Sequence, residues 1–483
     1  MNRFYLLPLV FLLGSGFSTL SAQEAPRLQG EFLISLDEKT NAIDFASRLD
    51  VHASVEKVSD LLNVWLLRST LPEQTALNWL RRRSEVRSVQ FNHILEERSH
   101  LEDLLLPDDP LFIQQWHLLN DGSDGGVFDA DLDAEQAWNI SSGGLTPAGD
   151  TIVLAVIDGG LQAVHNDLAA NIRRNWDEVP QNGVDDDANG YVDDFWGWNV
   201  FTQNDHIQGG NTEHGTPVCG ILGARGNNGI GISGVNWQTK IMFVSANGTE
   251  AAILSAFDYV WKERKRYNAT LGNQGAFVVA VNCSWGINFG QPEDAPIWCA
   301  AFDSLGAAGI VSVAATANIP VNIDEVGDLP TACPSNYLIS VTSLDRSDVK
   351  VETAAWGQQH VDIGAYGKEV VSTGANGGYG AYTGTSFAAP QVTGLIGLLY
   401  AAPCPNLIAL TKNNPQEAAY WVKSLVLENP TPNLSLNGRT STGGRLNLFN
   451  VLRSYQNQCS DCPPPFALKS EQISSDAALL LWT

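Results

Sequence analysis

Three polar residues sit against strongly apolar segments, and their side chains together supply a nucleophile, a base and an orienting acid. Ser386 lies in GTSFAAP directly ahead of QVTGLIGLLY, His214 lies in NTEHGTPVCGILGA, and Asp158 closes TIVLAVID. A serine hydroxyl is a poor nucleophile until a base takes its proton. An imidazole can take it, and a carboxylate can fix the imidazole's tautomer and steady the imidazolium that forms. Taken singly, Ser386 reads as a helix N-cap, His214 as a structural histidine and Asp158 as a turn residue; the joint pattern is what points to acyl transfer.

Such residues need a frame. The runs TIVLAVID, KIMFVSA, AFVVAVNCSWG, GIVSVAAT, LISVTSLD and VDIGAYG are continuous and β-branched, and helical patterns separate them. This predicts a parallel sheet buried on both faces, hence a doubly wound, mostly parallel α/β domain. In such sheets chemistry collects at the carboxyl ends of the strands, where Asp158 stands. The 483 residues exceed one ordinary domain. A 44% hydrophobic content against 17% charged residues places the chain among globular rather than disordered proteins. The net charge of -25 argues against nucleic acid as a partner.

Residues 1–22 carry Arg3, an apolar stretch and small residues up to Ala22, the layout of a secretory signal peptide. Pro8, Gly14 and Gly16 interrupt the run, which is short for a membrane anchor, the competing reading. No later stretch reads as a membrane span, and the expected location is secreted or cell-surface. From 23 to 105, EFLISL, NAIDFASRL, NVWLLRST, EQTALNWLRRR and VRSVQFNHIL alternate strand and helix. With room for another strand near HASVEKVS they predict a small ferredoxin-like α+β unit, followed by the exposed connector HLEDLLLPDDPLF. Residues 462–483 resemble the first two strands of a fibronectin type III sandwich. A closed sandwich needs about 100 residues, so a truncated one is expected here.

Residues 106–458 resemble a subtilisin-like serine protease, on AVIDGGLQAVHNDL, EHGTPVCGI, NNGIGISGV, VNCSWG, AATAN, GTSFAAP and GGRLN in that order. The chain order Asp, His, Ser is the one known for subtilisin. The resemblance implies a secreted serine endopeptidase acting on proteins or peptides, with no organic cofactor. Asp158, His214 and Ser386 would form its triad, and Ser386 would cap the buried central helix. Asn318 would supply an oxyanion donor beside the backbone N–H of Ser386. Ser284, Trp285 and Gly286 would be the edge along which substrate extends, Trp285 walling an apolar pocket. Residues 23–105 would be a pro-segment that inhibits the enzyme until cut. Two residues depart from the family's habit: Gly159 follows the aspartate where Ser or Thr is usual, and Ala317 precedes Asn318 where Gly is usual. A binding module on an inactive protease fold is the rival reading. The related carboxyl-serine peptidases, with a Glu base and an Asp in the oxyanion site, are excluded by His214 and Asn318.

Between Asp158 and His214 lies an acidic stretch in which Asp185, Asp187 and Asn189 alternate, followed by Gly190, a carbonyl at Tyr191 and Asp193. This begins like an oxygen-ligand calcium loop, but Trp196 stands at the twelfth position where an EF-hand has Glu. Structural calcium and a merely solvated loop are the two readings. Seven cysteines leave one unpaired. Cys404 with Cys459 or Cys462 is the expected bridge, and Cys219 and Cys283 read as buried thiols. KERKR, residues 262–266, reads as a solvated helix end.

Overall fold

The structure, a computed structural model, describes residues 27–60, 62–93, 104–123 and 125–459, with backbone strands at 469–471 and 479–481. The expected signal peptide, residues 94–103, Cys462 and most of the segment expected to begin a fibronectin-like sandwich lie outside the described residues. The chain forms two compact units, residues 1–102 and 103–483.

The first unit runs β1 (Arg27–Leu36), α1 (Ala42–Leu49), β2 (Ser54–Ser59), β3 (Val64–Arg68), α2 (Glu73–Arg81), β4 (Val86–His93). Its antiparallel sheet has the order β2-β3-β1-β4, the split βαββαβ arrangement. HASVEKVS supplies β2. Strand alternation sends Phe32, Ile34 and Leu36 inward, where they meet Phe45 of α1 and Leu77 and Leu80 of α2. The Asn41 side chain caps α1 by accepting from the Ile43 and Asp44 N–H groups.

The second unit opens with α3 (Ala134–Ile140), β5 (Val153–Asp158), β6 (Trp198–Asn199), α4 (Thr212–Gly223), β7 (Lys240–Ser245), α5 (Glu250–Thr270) and β8 (Val278–Cys283). It continues through β9 (Ile287–Asn288), α6 (Pro296–Ala307), β10 (Val311–Ala315), α7 (Ile323–Val326), β11 (Asp328–Leu329), β12 (Leu338–Leu344), β13 (Ile363–Tyr366), β14 (Val370–Thr373) and β15 (Tyr379–Tyr382). It closes with α8 (Ala389–Ala401), α9 (Pro405–Asn413), α10 (Pro415–Glu428), β16 (Thr431–Pro432), β17 (Gly444–Arg445) and α11 (Leu448–Asn457).

The central sheet has the order β16-β17-β13-β12-β10-β8-β5-β7-β6. All its ladders are parallel except β16 with β17. Both faces are buried, which is why its strands read as unbroken apolar runs. Along β5, Leu154 and Val156 enter one core with Val218 of α4 and Val392 of α8. Val153, Ala155 and Ile157 enter the other, with Phe257 of α5 and Trp298 of α6. The helices therefore cover the sheet on both sides, as the strand pattern requires.

KERKR is not a solvated helix end. It lies inside α5, and the helical period turns Glu263 and Arg264 into the fold, 1% and 0% exposed. Arg264 donates to the Val278 carbonyl and to Asn268 Oδ1, and Arg266 pairs with Asp187 at 2.9 Å. Disulfides join Cys404 to Cys459 and Cys299 to Cys333, while Cys219 and Cys283 are buried free thiols. Among the described residues no single helix is long and apolar enough to cross a membrane.

Candidate active site

Strand β5 delivers Asp158 to the carboxyl edge of the sheet, in register with Ser245 of β7. The Gly159 N–H donates to Asp158 Oδ1 at 2.7 Å, so the residue after the aspartate supports it through backbone. A Cβ on Gly159 would stand 3.1 Å from atoms of Asn211 and Asn247. Those two side chains fill the space that Ser or Thr would take.

His214 lies in the first turn of α4. The helix comes this close because Gly215 has no side chain: a Cβ there would be 2.3 Å from the Gly160 carbonyl oxygen and 3.2 Å from Asp158 Cβ. His214 Nδ1 is 3.0 and 2.9 Å from the two carboxylate oxygens of Asp158. Asp158 is buried, whereas the His214 side chain remains 30% exposed. Burial pulls the imidazole pKa down, but the hydrogen bond and charge of Asp158 outweigh it and leave the value raised. The ring lies 5.8 Å from that of Phe387, which brings it beside the turn carrying Ser386.

Ser386 is not the cap of α8. It occupies a tight 3-10 turn, Thr385–Phe387, one step before that helix, entered through Gly384 at φ 152. A non-glycine residue is strained in that backbone region. Its Oγ donates to the Ser284 carbonyl at 3.3 Å, while the Ser284 hydroxyl donates to the Ser386 carbonyl at 2.9 Å and accepts from Asn282 Nδ2. Asn318 Oδ1 accepts from the Thr385 N–H at 2.9 Å, and the Thr385 hydroxyl, 3.3 Å from the same oxygen, donates to the Thr316 carbonyl. With the oxygen so engaged, the amide nitrogen is the end free to donate.

Ser386 and Asn318 meet at one cleft of about 130 Å³ between the loops after β8 and β10, whose lining does not include Asp158 or His214. Ser284, Trp285 and Gly286 line one side, Ala317 and Asn318 the other, and Ser386 the mouth. Trp285 is more a core ring than a free wall. Its indole N–H donates to the Ile157 carbonyl at 2.7 Å, and it stacks on Trp298 at 5.7 Å. One lining residue was not foreseen from sequence. Asp328, on β11, is 2% exposed, and its Oδ2 accepts from the Ala317 N–H at 3.1 Å and the Thr331 hydroxyl at 2.6 Å. Burial pushes its carboxyl up to about 6 against those two bonds.

Comparison with known proteins follows the same line. Residues 149–438 match the Subtilase family. The chain belongs to that family. Thermitase of Thermoactinomyces vulgaris is 28% identical over 313 residues, 61% of this chain and 91% of thermitase. An extracellular protease of Xanthomonas campestris is 27% identical over 68% of this chain, a match spanning 54% of that relative's length. Among solved structures, a protease from Pseudoalteromonas arctica PAMC 21717 superimposes with TM-score 0.51 at 22% identity, over 73% of this chain and all of that one. That likeness speaks to the fold alone. As a subtilase, the chain is by class a serine endopeptidase.

The subtilase's acidic loop is arranged differently from the alternating set read in its sequence. Asp185 accepts from the Asn189 and Gly190 N–H groups, and Asp193 from those of Asn182 and Gly183, so both carboxylates turn onto the loop's own backbone. Asn189 accepts from the Tyr191 N–H and donates to Asp194 Oδ2. Of the expected ligands only Asp187 joins a compact carboxylate group, with Glu178 and Asp194, their oxygens within 4.8 Å of one another. Burial pushes Asp194 up to about 6 and raises Glu178 as well, the charge of Asp187 adding to the latter. Arg266 pairs with Asp187 and Glu263, and Arg173 with Glu263. Four acids thus face two arginines, and the surplus negative charge fits a cation.

Proposed function

We propose that this subtilase is an exported endopeptidase, made as a zymogen, that hydrolyses peptide bonds through an acyl-enzyme on Ser386. The observation that carries the reading is the bond from His214 to the Asp158 carboxylate at 2.9 Å, with Ser386 and Asn318 opening on one cleft nearby. Ser386 Oγ attacks the scissile carbonyl carbon as His214 Nε2 takes the hydroxyl proton. Asp158 holds Nδ1–H and steadies the imidazolium. The oxyanion accepts from Asn318 Nδ2 and the Ser386 N–H, donors fixed before reaction begins. His214 returns its proton to the leaving amine as the C–N bond breaks. Water then attacks the ester with His214 again as base, releasing the acid and restoring Ser386. Substrate extends along Ser284–Gly286, pairing through main-chain hydrogen bonds.

Export is supported by the signal-peptide layout, by the two disulfides and by a relative named as extracellular. The ferredoxin-like unit acts as inhibitory pro-segment in this reading. Calcium would be held by Glu178, Asp187 and Asp194, where it supplies structural charge neutralisation and takes no part in the chemistry.

Labelling with a fluorophosphonate tests the enzyme reading against a binding module on a dead protease fold. Mature wild type should form an adduct that Ser386→Ala lacks, and the variant should accumulate as unprocessed precursor. No adduct on wild type would leave the binding-module reading standing.

A further inference from the structure

We propose that Asp328 makes the cleft select a cationic residue, lysine or arginine, on the acyl side of the scissile bond. This rests on Ser386 being the nucleophile. Asp328 stands opposite Asn288 where β11 pairs with β9, the strand that directly continues the substrate edge. That pairing carries its carboxylate to the wall of the cleft whose mouth is Ser386. Every other lining residue is uncharged, so Asp328 is the sole ionisable group there.

The carboxylate is anchored by one oxygen only. The Ala317 N–H and the Thr331 hydroxyl both donate to Oδ2, and among the described residues no bond to Oδ1 is found. Among the described residues no lysine, arginine or histidine offsets its charge; two neutral donors alone oppose the effect of burial. A buried carboxylate without a cation is costly to keep. A charge at this place is answered when a substrate ammonium or guanidinium enters, as an aspartate in the corresponding pocket of trypsin answers basic residues. The apolar stem of such a side chain would lie along Trp285.

The chain contains one sequence of matching chemistry at the expected activation region. Arg98 is the only lysine or arginine between Arg87 and Arg173. Cleavage after it would release a form beginning at Ser99.

The test uses the full chain and peptide substrates that differ only in the residue before the scissile bond: lysine, arginine, norleucine or glutamate. Rates are normalised to active sites titrated by a fluorophosphonate, which carries no such side chain. Wild type should prefer lysine and arginine over norleucine by on the order of 10²-fold in kcat/KM. In Asp328→Asn that ratio should fall to about one-tenth of its wild-type value or less. An enzyme that labels but cleaves after norleucine as fast as after lysine would overturn the proposal. So would an unchanged ratio in the variant, while absence of labelling would overturn the Ser386 reading beneath it. If Asp328→Asn does not fold, the wild-type profile decides alone. Arg98→Leu should process more slowly than wild type, and processing at the same rate and position would count against Asp328.

Discussion

His214 Nδ1 lies 2.9 Å from Asp158 Oδ2, and the carboxylate is buried behind the imidazole at the end of β5. The contact fixes which nitrogen carries the proton: Nδ1–H faces the acid, and the Nε2 lone pair is left for a serine hydroxyl. It also makes the imidazolium easier to form, since the Asp158 bond and charge more than offset burial.

The pH profile should carry that signature. His214 must be neutral to act as base, so kcat/KM falls as pH drops through its pKa. That pKa is raised above 6.5, and the acid limb should therefore lie above 6.5. Asp158→Asn removes the charge and presents the wrong tautomer. The limb should move to lower pH and kcat should drop by roughly 10⁴-fold, a magnitude known from the same triad on another fold. A limb that stays in place in the variant would detach it from His214.

Asn318→Ala should reduce kcat by about 10²–10³ with little change in KM, a magnitude taken from subtilisin itself. The donor acts on charge that develops only in the transition state. Thr385 aims the amide by occupying its oxygen through the backbone N–H, while its hydroxyl donates to the Thr316 carbonyl. Thr385→Val keeps the N–H bond and should cost less than Asn318→Ala. A loss expressed mainly in KM would assign Asn318 to ground-state binding instead.

The two disulfides should separate stability from binding. Their sequence separations of 55 and 34 residues give about 4 kcal/mol each by chain entropy. Cys404–Cys459 ties the start of α9 to the end of α11. Cys299–Cys333 ties α6, whose Trp298 stacks on Trp285, to the segment just past Thr331. Both serine double variants should shorten the half-life at elevated temperature. Only Cys299→Ser/Cys333→Ser should also raise KM, read from steady-state kinetics on one peptide.

The strands were legible because a doubly buried sheet writes itself as unbroken apolar runs, and the candidate triad because Asp158 closes one such run while His214 and Ser386 stand at the start of apolar helices. What the sequence hides depends on non-local pairing. Asp328 sits in VGDLP with nothing local to mark it, and only the β9–β11 ladder carries it to Ser386's cleft. KERKR looks solvated as a string of charges, yet the helical period buries Glu263 against Arg173, ninety residues earlier, and Arg264 against the Val278 carbonyl of β8. The alternation of Asp185, Asp187 and Asn189 suggested one ligand face. Glu178, from an earlier turn, and Asp194, one residue past the expected ligand, complete the compact carboxylate group instead.

The acidic loop yields the last prediction. Glu178, Asp187, Asp194 and Glu263 converge against Arg173 and Arg266, and burial together with neighbouring charge raises the pKa values of Glu178 and Asp194. A calcium ion bound by the folded loop and not by the unfolded chain stabilises by mass action, about 2.7 kcal/mol at a hundredfold excess over Kd. Melting of the full chain should therefore rise with added calcium and fall with a chelator. Asp194→Asn should abolish most of that difference, because it removes a carboxylate of the compact group. Asp185→Asn should retain more of it, because the Asp185 oxygens accept from the Asn189 and Gly190 N–H groups, and an asparagine oxygen can keep one of those bonds. Equal sensitivity in the two variants would return the site to the alternating set. Indifference of wild type to chelator would mean that the two arginines and the loop amides neutralise the cluster by themselves.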